Sequence, residues 1–125
     1  MIKVMIVDDS ADLRMLLASA LTSAGHLSIE VGGGLEALAR VEAERPDLIL
    51  LDINMPDLDG FAVLARIRSL SNEVVARTPV WMMTADGDPA SIRSACRLAA
   101  LEYFVKGNYD IDDLLRRVGQ VNANR

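Results

Sequence analysis

The stretch Leu48-Ile49-Leu50-Leu51-Asp52, set between Pro46 and Pro56, constrains this chain more than any other. Four consecutive apolar residues are too few for a lone buried helix, and they fit a strand covered on both faces, as in a parallel sheet. Pro46 also stops any helix from running into it, because the residue before a proline avoids the helical region. The strand ends in a carboxylate, and in open α/β sheets ligands bind outside the carboxyl ends of the strands. Asp52 is therefore the first candidate for chemistry.

The rest of the chain supplies partners for such a strand. Ile2 to Val7 is an apolar, β-rich run that stops at Asp8-Asp9-Ser10, residues that favour turns and helix caps. Leu13, Leu16, Leu17, Ala20, Leu21 and Ala24 recur at helical spacing, with Gly25 where a left-handed cap ends a helix. Leu27, Ile29 and Val31 alternate with polar residues, which suits a half-exposed edge strand. A second helix runs from about Leu35 past Val41, and Phe61, Leu64, Ile67 and Leu70 mark a third, followed by a polar connection from Ser71 to Thr78. Pro79 to Thr84 reads as a fourth strand. Asp88 as cap and Pro89 at the first helical position open a fourth helix carrying Ile92, Ala95, Cys96 and Ala99. Glu102 to Val105 is a short fifth strand, and a fifth helix spans about Ile111 to Val121. The expected class is α/β: a (βα)5, doubly wound, five-stranded parallel sheet of order 2-1-3-4-5 with helices on both faces. Its crevice lies between strands one and three.

Composition narrows the function classes. A length of 125 residues fits a single domain, 1–125. A net charge of −5, with no basic cluster longer than Arg116-Arg117, argues against direct nucleic-acid binding. No apolar run approaches the roughly 18 residues that cross a bilayer, and Met1-Ile2-Lys3-Val4 leads straight into a strand pattern, so a cytoplasmic protein without membrane contact is expected. The single Cys96 is expected to fill core space, and the single His26 to lie on the surface of the edge strand. Only Lys3 and Lys106 among the thirteen basic residues are lysines, so the compact ammonium at 106 is not one of many interchangeable cations.

Strand order 2-1-3-4-5 brings Asp8, Asp9 and Asp52 together at the switch point. Three converging carboxylates repel one another, and the remedies are a raised pKa or a hard divalent cation, of which Mg²⁺ suits a site with few protein ligands. Thr84 and Lys106, at the ends of strands four and five, are expected to face the same crevice. Such a site suits a phosphoryl group, with Asp52 attacking phosphorus to form an aspartyl phosphate.

Here the chain closely resembles the receiver domain of two-component response regulators, the chemotaxis-regulator-like, flavodoxin-like family. Asp8-Asp9, Asp52-Ile53-Asn54-Met55-Pro56, Asp59-Gly60, Thr84-Ala85 and Lys106 stand in the family's order and spacing. The resemblance implies that Asp52 takes a phosphoryl group from the phosphohistidine of a histidine kinase or histidine phosphotransfer protein. It implies that Asp9, Asp52 and the main-chain carbonyl of Asn54 bind Mg²⁺, with Asp8 acting through water. Thr84 and Lys106 would hold phosphoryl oxygens, Tyr103 would turn inward as Thr84 moves, and Asn54 and Asp86 would tune the phosphoryl lifetime. The output face would comprise the fourth helix, fifth strand and fifth helix, with Arg93, Arg97, Glu102, Asp113, Arg116 and Arg117. That face would contact a downstream target or an output domain of the same protein, or form a homodimer on phosphorylation. Two positions depart from the family: Gly107 stands where a proline in a cis peptide is usual, and Ala99-Ala100 where Gly-Ala closes the fourth helix. A trans Lys106–Gly107 bond is expected, since a non-proline cis bond costs roughly 2.5–4 kcal/mol.

Other readings compete. A Walker-B strand is excluded by the lack of any G-x-x-x-x-G-K-[ST] loop. Gly32, Gly34 and Ala37 imitate a dinucleotide fingerprint, but they follow the second strand rather than the first. A Mg²⁺-dependent phosphohydrolase would need a second acid where Asn54 stands. An interaction-only receiver with a silent site is disfavoured by the intact carboxylates, Thr84 and Lys106. The expected protein is thus a phosphoacceptor signalling domain rather than a turnover enzyme.

Overall fold

The computed structural model describes residues 1–85, 87–99 and 101–122. The strands are β1 (Lys3–Val7), β2 (Leu27–Val31), β3 (Leu48–Asp52), β4 (Val80–Thr84) and β5 (Tyr103–Val105). The helices are α1 (Ala11–Ser23), α2 (Gly34–Glu44), α3 (Gly60–Arg68), α4 (Glu73–Ala76), α5 (Ala90–Leu98) and α6 (Ile111–Val118). All strand pairs are parallel, in the expected order β2-β1-β3-β4-β5.

β3 is buried throughout and occupies the middle of the sheet. Its alternate residues feed two separate cores, because successive strand side chains point to opposite faces. Ile49 and Leu51 pack with Val41, Val63, Ile67, Val75 and Cys96, on the face covered by α2, α3 and α5. Leu48 and Leu50 pack with Leu17, Leu21, Leu114 and Val118, on the face covered by α1 and α6. Cys96 is fully buried, as expected. Phe104 belongs to the second core beside Trp81, whereas Tyr103 is half-buried on the first face.

Four local expectations are corrected. The segment between Ser71 and Thr78 contains the one-turn helix α4, capped by Asn72, whose side chain accepts from the Val74 and Val75 amides. The last helix ends at Val118, one turn short of Val121. Pro89, not Asp88, is the cap of α5, and it makes no side-chain capping bond. His26 is half-buried, and its Nδ1 accepts from the Ile2 amide at 3.2 Å, tying the start of β1 to the entry of the edge strand. Ala99 ends α5 at φ −81°, outside the left-handed region, so its Cβ puts no strain on this cap; Ala100 lies outside the described residues.

Candidate functional site

Asp8 and Asp52 leave β1 and β3 side by side, since Val7 pairs with Leu51 in the parallel register. Asp52 is fully buried and Asp8 nearly so, while Asp9 is exposed. One carboxylate oxygen from each of the three lies within 4.8 Å of the others, an all-oxygen cluster able to hold a metal ion. The backbone around them is fastened locally. Asp8 Oδ1 accepts from the Ser10 amide at 2.8 Å, and Ser10 in turn caps α1 by accepting from Leu13. Asp52 Oδ1 accepts from the Asn54 amide at 3.1 Å.

Lys106 brings the counter-charge. Its Nζ lies 2.9 Å from Asp8 Oδ2 and 3.0 Å from Asp52 Oδ1. Its amide donates to the Thr84 carbonyl at 2.7 Å, so the lysine enters the crevice from a fixed strand exit. No peptide bond among the described residues is cis, so Lys106–Gly107 is trans as expected, and Gly107 turns the chain at φ +74°, a conformation open to glycine. The missing proline has therefore not kept the ammonium from the carboxylates.

Electrostatics follow from burial. Desolvation pushes the Asp52 carboxyl up to about 6; the Lys106 contact opposes this and the Asp8 charge adds to it. Burial works against the Lys106 ammonium, but contact with Asp8 and Asp52 outweighs it and holds its pKa above the ordinary lysine range. Asp52 Oδ2 is buried and makes no hydrogen bond, so one acceptor oxygen of this costly carboxylate is left uncommitted.

Of the other sequence candidates, Thr84 and Asn54 stand at the same edge, and Tyr103 lies at the opposite end of the short β5. Thr84 is buried, and its hydroxyl lies 3.5 Å from the Phe104 carbonyl of β5. Tyr103 is half-buried, its hydroxyl accepting from Arg97 Nη2 at 2.8 Å. The Asn54 side chain reaches across to Asp88. Asp86 lies outside the described residues.

Three residues that shape the site were not read from the sequence as site residues. Arg14 Nη1 donates to the Asp8 main-chain carbonyl at 2.6 Å, and its guanidinium lies 3.7 Å from Glu30 of β2. A lone arginine on a helix carries no signal of this. Asp57 accepts from the Gly34 and Leu35 amides, so it caps α2 from another loop, and those amides hold its carboxyl below the usual range. The same contact disposes of the dinucleotide imitation: the α2 amides that a pyrophosphate would need already serve Asp57, and a Cβ on Gly34 would meet Val63 at 2.6 Å. Asp88 is the third. Its Asp-Pro context signalled a helix start, which hid its reach toward Asn54 and Ala85.

Comparison with known proteins agrees with this geometry. The model of the response regulator receiver domain matches residues 4–119. The sporulation initiation phosphotransferase F of Bacillus subtilis is 37% identical over 112 residues, covering 90% of this chain and 86% of that protein. The probable transcriptional regulator ycf27 of Guillardia theta is 40% identical over 104 residues, which are 83% of this chain but only 39% of that protein. The solved structure of the chemotaxis response regulator CheY4 of Vibrio cholerae superposes with a TM-score of 0.82 at 31% identity, covering 98% of this chain and 99% of that one. A crevice of three carboxylates and a lysine at the switch point of a 2-1-3-4-5 sheet, matched by this model over nearly its whole length, places the chain in the response regulator receiver domain family of two-component signalling.

Proposed function

We propose that Asp52 is the phosphoacceptor of this receiver and that residues 1–125 act as one phosphoacceptor signalling domain, not as a turnover enzyme. The observation that carries the reading is the buried Asp52 carboxylate, with Oδ1 held by Lys106 and the Asn54 amide while Oδ2 is uncommitted. An Asp52 oxygen attacks phosphorus, the bond from phosphorus to the donor breaks, and its electron pair stays with the donor's imidazole nitrogen or carboxylate oxygen. The product is an acyl phosphate, formed without oxidation or reduction. Lys106 balances the negative charge on the acceptor and then on the phosphoryl oxygens, and Thr84 offers a hydroxyl from the adjoining strand end.

An all-oxygen donor set with an uncommitted buried carboxylate oxygen fits a hard cation, and Asp9, Asp52 and the Asn54 carbonyl, with Asp8 behind, would hold Mg²⁺. When bound, Mg²⁺ supplies charge neutralisation for the transferring phosphoryl group. The donor would be a histidine kinase or a histidine phosphotransfer protein. The reader would be a downstream protein, an output domain of the same protein, or a second copy meeting at α5, β5 and α6. Tyr103 on β5, bonded to Arg97 of α5, supports that face as the switch, as do the ion pairs of Arg117 with Glu102 and Asp113.

Intact-mass measurement after incubation with acetyl phosphate and Mg²⁺ tests the reading. The wild type is expected to gain one phosphoryl group and Asp52→Asn none. Equal uptake by the variant would overturn the assignment.

A further inference from the structure

We propose that Asp88 is a latch on the unphosphorylated state: its carboxylate joins the two loops at the mouth of the crevice through Asn54 Nδ2 and the Ala85 amide, and it must release them when Asp52 is phosphorylated. The inference rests on Asp52 being the acceptor.

The β3 and β4 strands stay paired through Asp52 and Met83, and the Ile53 amide still donates to the Met83 carbonyl at 3.2 Å. Beyond that point the strands part, and Asn54 and Ala85 are the residues that stand two past the last pair on either side. Asp88 spans them. Its Oδ2 accepts from the Ala85 amide at 2.9 Å, and its two oxygens accept from Asn54 Nδ2 at 3.3 and 3.4 Å. The Asp88 amide closes the turn by donating to the Ala85 carbonyl at 3.1 Å, with Gly87 inside it at φ +93°. One side chain thus holds both rims, and one of them, through the Asn54 amide, is hydrogen-bonded to Asp52 Oδ1 itself.

A phosphoryl group on Asp52 carries about −1.5 to −2 charge where the carboxylate carried one negative charge, and presents three strong acceptor oxygens. It repels a carboxylate bridging the mouth and competes with it for the same N–H donors. Occupation by Asp88 and occupation by a phosphoryl group therefore oppose each other. Release also reaches α5, because Pro89 gives that helix no side-chain cap and its approach is held by the Ala85–Asp88 turn. The latch accordingly links loading of Asp52 to the start of the helix on the output face.

The test uses the full chain with acetyl phosphate and Mg²⁺, following Asp52 phosphorylation by intact mass and Ala85 amide exchange in the unphosphorylated form. Asp88→Asn keeps the shape and removes the charge. It is expected to load about three- to tenfold faster, the rate equivalent of one lost hydrogen bond, and to raise Ala85 exchange by about the same factor. A residue that merely shapes the turn would lower stability without speeding the reaction. Asn54→Ala combined with Asp88→Asn should load no faster than the faster single variant, since each by itself breaks the bridge between the two loops. Unchanged or slower loading by Asp88→Asn, with the wild type loading normally, overturns the latch alone, as do additive effects in the double variant. A wild type that gains no Asp52-linked phosphoryl group overturns the acceptor reading and the latch with it.

Discussion

Burial holds the Asp52 carboxyl at about 6 in the folded chain, against 3.8 for an ordinary aspartate, and this makes the acceptor a source of instability. Below pH 3.8 the group is protonated in both folded and unfolded chains and costs nothing. Between 3.8 and 6 the unfolded chain releases its proton first, so stability falls as pH rises through that window. Above 6 both forms are ionised and the folded state carries the full penalty. In Mg²⁺-free buffer Asp52→Asn should therefore be more stable than the wild type at pH 7.5, by about 1–3 kcal/mol, and the two should converge below pH 4. Urea denaturation at both pH values measures this; an Asn variant less stable at pH 7.5 would show that the Lys106 contact outweighs desolvation.

At the scale of elements, the site depends on how closely α3 docks on the end of β3. Gly60 opens α3, after Asp59 has capped it by accepting from the Ala62 amide. A Cβ on Gly60 would lie 2.6 Å from the Asp52 carbonyl oxygen and 2.9 Å from the Ile53 Cα. Both neighbours are backbone and cannot turn aside, so the Asp59-Gly60 pair is a cap followed by a close approach. Gly60→Ala should cost about 1–3 kcal/mol in urea denaturation, through overpacking. It should also slow loading of Asp52, because the strain falls on the acceptor's own peptide unit.

Taken as a whole, the molecule gathers three carboxylates at one edge of its sheet and offers them one lysine. Any cation bound only by the folded chain stabilises it by mass action. Mg²⁺ at ten times its dissociation constant should add about 1.4 kcal/mol, or roughly 4–7 °C in melting temperature for a domain of this size. Asp9→Ala should lose that response while melting no lower than the wild type in EDTA, since it removes a repelling charge. A Mg²⁺-dependent rise that persists in Asp9→Ala would refute its place in the cluster.

The sheet and the residues at its carboxyl edge are legible in the amino-acid pattern alone. Those depend on local periodicity and on which residue ends each strand: Asp8 after β1, Asp52 closing β3, Thr84 closing β4 and Lys106 after β5. Once alternation forces a right-handed parallel sheet, such residues converge whatever the loops do. How the rims of the crevice are tied follows from packing between distant elements. Asp57 and the α2 amides are 22 and 23 residues apart in sequence, Asn54 and Asp88 34 apart, and His26 and Ile2 24 apart. Each contact rests on one side chain meeting an element distant in sequence, with no period to announce it. An Asp at a loop end is equally suited to its own helix or to a neighbour's, and which amide it serves is settled by the packing that sets their distance.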